Sequence, residues 1–424
     1  MPFAMAILAA AAAAPAPAKP ATPPVVERVI ATSSFKAAAQ SLRADHERFV
    51  DEIIRITQTP SPPFGEAERG RLVAQMMRDS GFRSVSIDEV GNVIGLRPGR
   101  DARLPPLVVA AHLDTVFPKG TDVTVKREGT KLRAPGIGDD SRGVATLLVL
   151  ARAMDKAGIQ TDRDVLFVGN VGEEGPGDLR GMRHLFSTNA RARAAAGFIS
   201  IDSSGSGGIV TRGVGSNRYH IVFSGPGGHS YDKFGIVNPM VSLAKTVTEL
   251  YQIAVPATPK VTYSASVVGG GTSVNTIPPQ VFLDVDMRSI SPEEVARVDA
   301  ELRAIAQKAV DEENAARSTA RGKVSVDFQV IGKRPAGHTD ETKGIAAIAF
   351  GVAEAFGYEG RFIEVSTDAN VPMSLGIPAI TIGSGGTGGS EHSPDEWIDV
   401  ALEPSLKGLT VDLATIIAAA GAKP

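Results

Sequence analysis

Three short apolar runs, each leading into an acid or a histidine, constrain this chain more than any other feature. Leu107-Val-Val-Ala-Ala111 runs into His112, and Phe198-Ile-Ser-Ile201 runs into Asp202. Asp164-Val-Leu-Phe-Val-Gly169 is followed closely by Gly172-Glu-Glu-Gly175. Short runs without alternation read as strands buried on both faces. Between the first two lies Gly143 to Ala157, rich in Val, Leu and Ala, which reads as a buried helix. Buried strands alternating with helices imply an α/β sheet with helices on both faces. Such sheets bind ligands beyond the carboxyl ends of their strands, where these acids and the histidine fall.

The rest of the chain divides around that pattern. Residues 1–24 read as an export signal and linker: Ala4 to Ala14 is apolar but too short to span a bilayer, and a Pro/Ala tract follows. No Lys or Arg precedes the run, which departs from the usual signal. The expectation is a periplasmic or secreted protein, with a cytoplasmic one as the alternative. Phe35 to Ile56 has helical spacing, and Glu66 to Asp79 reads as a helix capped at Gly81. After Gly213 the order becomes β-α-β-β-α-β: strands at 218–223, 261–268, 281–287 and 324–331, helices at 239–253 and from Ser291 to about Arg317. Ser291-Pro-Glu-Glu294 carries an N-cap, a proline at the first position and a capping-box Glu. From Pro335 the α/β character returns. The domains are therefore 35–213 with 335–424, interrupted by an inserted α+β unit at 214–334.

Composition narrows the chemistry. The chain of 424 residues contains no cysteine, which excludes disulfides, thiolate metal sites and thiol nucleophiles. Any metal must be held by histidine and carboxylate. The net charge of −3 and the lack of a basic run give no footprint for nucleic acid. No later stretch is long and apolar enough for a membrane helix. A Ser-His-Asp hydrolase is disfavoured, because no Gly-x-Ser-x-Gly elbow stands between a strand and a helix.

Five motifs then stand in order: His112-Leu-Asp114, Gly136-Ile-Gly-Asp139-Asp140, Gly172-Glu173-Glu174-Gly175, Asp202 and Ser390-Glu-His392-Ser-Pro-Asp-Glu396. Each alone reads as well as a turn, a helix cap or a solvated loop. Together they place oxygen and nitrogen ligands at one sheet edge, a donor set suited to two divalent ions.

This ordered set resembles the co-catalytic zinc family of peptidase T, glutamate carboxypeptidase, aminoacylase and succinyl-diaminopimelate desuccinylase. The resemblance covers about residues 40–420. It implies a mixed sheet flanked by helices, zinc exopeptidase-like, with an inserted lid and dimerisation domain. By motif, His112 and Asp202 would bind one zinc, Glu174 and His392 the other, and Asp139 would bridge them; cobalt or manganese are the alternative metals. Asp114 would orient His112 through its carboxylate, and Glu173 would be the general base. The Asp139–Asp140 peptide is expected to be cis. In the lid, His229 of Gly227-Gly-His229-Ser would stabilise an oxyanion, often across a dimer, Asn275 would touch substrate, and Arg288 would clamp a substrate carboxylate. Ser141 and Arg142 depart from the family, which commonly has Lys two residues after the bridging Asp. The implied activity is hydrolysis of an amide bond, most simply by an exopeptidase of short peptides. An N-acyl amino acid deacylase shares all the metal residues, and a catalytically silent binding protein is the rival from another class. The implied partners are a short peptide or N-acyl amino acid and a second copy of the chain.

Overall fold

The computed structural model describes residues 19–422. The expected export signal therefore falls mainly outside the described residues. The body of the fold begins earlier than the sequence suggests. Pro24–Ala31 is a helix whose Val26 and Val29 are buried in the main core.

A nine-stranded mixed sheet organises the molecule. Its centre is the strand Leu107–His112, with Val165–Asn170 and Gly197–Ile201 parallel on either side. Ala379–Ile382 continues the parallel set beside Gly197–Ile201. Parallel direction sends all four strands toward one edge, so His112, Glu173, Asp202 and the loop after Ile382 emerge together. Alternation along one strand explains the two covered faces. Leu107, Val109 and Ala111 join the core that includes the helices Arg142–Lys156 and Leu402–Ala420. Val108 and Ala110 join the opposite core, with Met182, Leu185 and Phe198.

The inserted segment forms a four-stranded antiparallel sheet, in the order Val261–Gly270, Gln280–Ser289, Gly215–Ser224, Ser325–Arg334. Helices Pro239–Leu250 and Pro292–Ala316 pack on it, and Tyr219, Ile221, Phe223, Leu283 and Leu302 share a separate core. No helix among the described residues is long and apolar enough to cross a membrane.

Two local expectations need correction. The helix expected over 35–56 is two helices, Ser33–Ala44 and His46–Thr57, broken at Asp45. Asp45 instead accepts a buried ion pair from Arg152 at 2.6 Å, which also binds Glu52 at 2.9 Å. The Ser291 capping box is half formed. Ser291 Oγ accepts the Glu294 N–H at 3.2 Å, but the Glu294 carboxylate turns to Arg297.

Candidate metal centre

The centre is built around Asp139. Its Oδ1 lies 2.8 Å from His112 Nε2, and its Oδ2 lies 2.9 Å from His392 Nε2. Asp202 Oδ1 lies 3.8 Å from His112 Nε2, and Glu174 Oε1 lies 3.0 Å from His392 Nε2. One carboxylate thus faces two histidines, each with a second carboxylate of its own. Donor atoms of His112, Asp139 and Glu174 come within 4.8 Å of one another.

Hydrogen bonding settles which atoms are free to coordinate. His112 Nδ1 lies 3.0 Å from the Asp114 carbonyl oxygen, which can only accept, so Nδ1 carries the proton. Nε2 is then the ring atom turned to Asp139 Oδ1 at 2.8 Å, carrying a proton in the imidazolium and a lone pair when a cation takes that proton's place. Lone pairs facing one another at this distance are what a divalent cation stabilises. Charge tells the same story. Burial opposes an imidazolium at His112, yet the Asp139 carboxylate holds its pKa well above the ordinary value. Hydrogen bonds to Asp139 and Glu174 push His392 up to about 11. Burial drives the Asp202 carboxyl well above the usual range, and its carboxylate neighbours add to the shift. The cluster calls for positive charge, and its oxygen and nitrogen donors fit a metal.

The role expected of Asp114 is corrected. Its carbonyl, not its carboxylate, orients His112; the carboxylate Oδ1 is 3.8 Å from Nδ1. The carboxylate instead accepts the backbone N–H groups of Glu173 at 3.0 Å and Glu174 at 2.8 Å. Asp114 therefore positions two neighbouring elements at once.

The loop carrying Asp139 is clamped from both ends. The Asp139–Asp140 peptide is cis, as the family resemblance implied. Asp140 accepts the backbone N–H groups of His112 and Gly143, each at 3.1 Å, tying the strand end to the helix start. Glu396, fully buried, accepts from Gly136 at 2.9 Å, Gly138 at 2.7 Å and Asp139 at 2.9 Å. Burial pushes the Glu396 carboxyl up to about 7. Its clamping role was not foreseen. The residue stands in the histidine motif, but only the fold brings it to residues 136–139.

A cleft of about 580 Å³ opens over the centre, and its lining includes Asp139, Glu173, Glu174, Asp202, Glu391 and His392. Arg218, Arg288 and Arg334 line it as well. Arg218 and Arg288 share Asp286, at 2.8 and 2.7 Å. Arg334 Nη1 donates to Glu173 Oε1 at 3.0 Å. Burial raises the Glu173 pKa, and Arg334 works against that shift. Arg218 and Arg334 escaped the sequence reading, because a strand arginine carries no local signal of a distant acid.

His229 and Asn275 are brought together, but not here. His229 pairs with Thr276, the residue after Asn275, and the Ser230 N–H donates to the Asn275 carbonyl at 2.9 Å. The His229 side chain is 49% exposed and does not line this cleft.

The model of Peptidase family M20/M25/M40 matches residues 108–417. The chain belongs to this family. That match spans all five expected ligand positions and the inserted segment. An N-carbamoyl-L-amino-acid amidohydrolase of Paenarthrobacter aurescens is 32% identical over 142 residues, 32% of this chain and 30% of the relative. Carboxypeptidase G2 of a Pseudomonas species is 23% identical over 250 residues, 56% of this chain and 58% of the relative. The matches thus span less than two thirds of either relative. The crystal structure of aminopeptidase PepT from Bacillus cereus has the same fold, with a TM-score of 0.71 at 22% identity, covering 88% of this chain and 99% of that one.

Proposed function

We propose that this protein is a zinc-dependent exopeptidase of short peptides. The observation that carries the reading is the polarity of the cleft. Five carboxylates and His392 line it together with three arginines, Arg218, Arg288 and Arg334. Bidentate guanidinium pairing suits the terminal carboxylate of a peptide, and Arg288 takes that role. Glu391, whose carboxylate accepts from Ser203 Oγ at 3.3 Å, lines the same cleft and would receive the free amine.

His112 and Asp202 would hold one zinc ion, Glu174 and His392 a second, with Asp139 between them. Ions held there would supply positive charge that acidifies a water and polarises the amide carbonyl. Glu173 accepts the proton of the attacking water and returns it to the leaving nitrogen. Arg334 holds the Glu173 carboxylate in place for both transfers. His229, exposed on the lid, serves the oxyanion of a partner protomer in a homodimer, with Asn275 beside it. The leader exports the protein.

A second reading has a specific observation behind it. The relative that is 32% identical over part of the chain removes a carbamoyl group from amino acids by its name, so N-acyl and N-carbamoyl amino acids are the alternative substrates. The test is hydrolysis of dipeptides, tripeptides, N-acyl and N-carbamoyl amino acids by protein reloaded with zinc after chelation. Metal-dependent release of amino acids from free peptides supports the exopeptidase. Cleavage of the acylated compounds alone replaces it with the second reading.

A further inference from the structure

A trough leaves the metal cleft along the strand Arg361–Val365. It encloses about 330 Å³ and shares Asp202, Ser203, Val365 and Thr367 with the cleft, so the two adjoin. Arg361, Ile363 and Val365 all line it. These are alternate residues of one strand and occupy a single face. Phe362, between them, turns the other way and packs its ring 5.3 Å from Phe350. The apolar floor is open, with Ile363 39% and Val365 43% exposed.

The far end of the trough is cationic. Arg361 is exposed, and among the described residues no carboxylate lies within ion-pair distance of it. Its strand neighbour Glu364 is already engaged by Arg212 at 3.0 Å. Arg361 and Val365 are four residues apart, about 13 Å along an extended strand, and an arginine side chain shortens the remaining gap. Ser203, Ser204 and Ser206 add hydroxyl groups along the wall.

We propose that this trough is a substrate subsite that reads a carboxylate on the acyl side of the scissile amide, with Arg361 as its reader. The inference rests on the hydrolytic reading of the cleft, in which Arg288 takes the carboxylate of the leaving portion. The acyl portion then has the trough beside Asp202. A carboxylate held several bonds from the scissile carbonyl, as in a glutamyl residue, reaches past Ile363 toward the guanidinium. A neutral isostere fills the same space without the charge-assisted pair.

The test compares peptides with Glu or Gln as the residue supplying the scissile carbonyl, and Leu as a neutral reference. The zinc-loaded wild type is expected to favour Glu over Gln by roughly tenfold in kcat/KM, the scale of one charge-assisted contact. That preference shrinks as salt rises, because the pair is exposed. Arg361→Gln should level the ratio and leave the Leu peptide unchanged, and Arg361→Glu should invert it. An unaltered ratio in Arg361→Gln overturns the subsite. Calorimetry on the zinc-loaded Glu173→Gln protein keeps this inference separate from the hydrolytic reading. If no peptide is cleaved, that reading fails. Tighter binding of the Glu peptide that disappears with Arg361→Gln would still establish the subsite, and equal binding of both peptides would remove it.

Discussion

Arg334 donates to Glu173 across 3.0 Å, with both side chains only 7% exposed. The arginine ends the last strand of the inserted sheet, and the acid follows a central strand of the main sheet. The two domains therefore meet at the residue assigned as general base. Removing the arginine leaves a buried carboxylate unpaired, at a cost of about 3–5 kcal/mol. Arg334→Met is expected to lower kcat roughly 10–100-fold, the usual size of a lost orienting partner. Arg334→Lys should recover part of it, with zinc content unchanged in both. A full kcat in Arg334→Met would remove Arg334 from the positioning of Glu173.

Glu173→Gln keeps the shape and the backbone contacts to Asp114 but cannot take a proton. Turnover should fall to background while two zinc ions per chain remain by elemental analysis. Normal turnover in that variant would refute the assignment of the base.

The main sheet was legible because buried parallel strands are short, continuously apolar and end where the candidate ligands begin. His112 and Asp202 could be placed from the chain for that reason. The pairing of Asp139 with both histidines rested on the family resemblance, since a loop between glycines has no period to read. Arg334, Glu396 and the carbonyl of Asp114 were illegible for a different reason. Each acts through contacts that arise only in the folded chain; Arg334 and Glu173 lie 161 positions apart. The break at Asp45 was hidden because the apolar period continues across it, while the ion pair to Arg152 that holds it is long-range.

The Glu396 clamp predicts a metal phenotype without a direct ligand. Glu396 Oε1 accepts two backbone N–H groups, and a glutamine at this position leaves at least one of its three donors unpaired. An unsatisfied buried donor costs about 1–3 kcal/mol. Glu396→Gln should therefore weaken zinc binding and lower the melting temperature of the zinc-loaded protein. Gly143→Ala should do the same from the other side of the loop, because a Cβ there would lie 2.1 Å from Asp140 Oδ1. Zinc titration followed by thermal melting measures both. Unchanged zinc affinity in both variants would show that the loop holds its shape without these contacts.

Glu391 separates the two substrate readings. If it receives a free amine, Glu391→Gln should raise KM for dipeptides roughly tenfold, the size of one charge-assisted contact. The same variant should leave N-acyl amino acids, which present no cation, unaffected. Equal changes for both substrate types would mean that Glu391 shapes the loop through Ser203 and does not read the amine.

The exposed pair of His229 and Asn275 makes a stronger test of assembly. His229 does not line the cleft of its own chain, so its assigned role requires a second copy. His229→Ala and Glu173→Gln should each be inactive alone. In a mixed dimer, the protomer with intact Glu173 receives an intact His229 from its partner, and that one site works. Co-refolding equal amounts yields half mixed dimers, each with one working site, so about a quarter of wild-type activity should return. If His229 acts within its own chain, neither site of the mixed dimer is complete and no activity returns. Recovery near a quarter would establish both the shared site and the dimer, and its absence in a verified mixed dimer would confine each site to one chain.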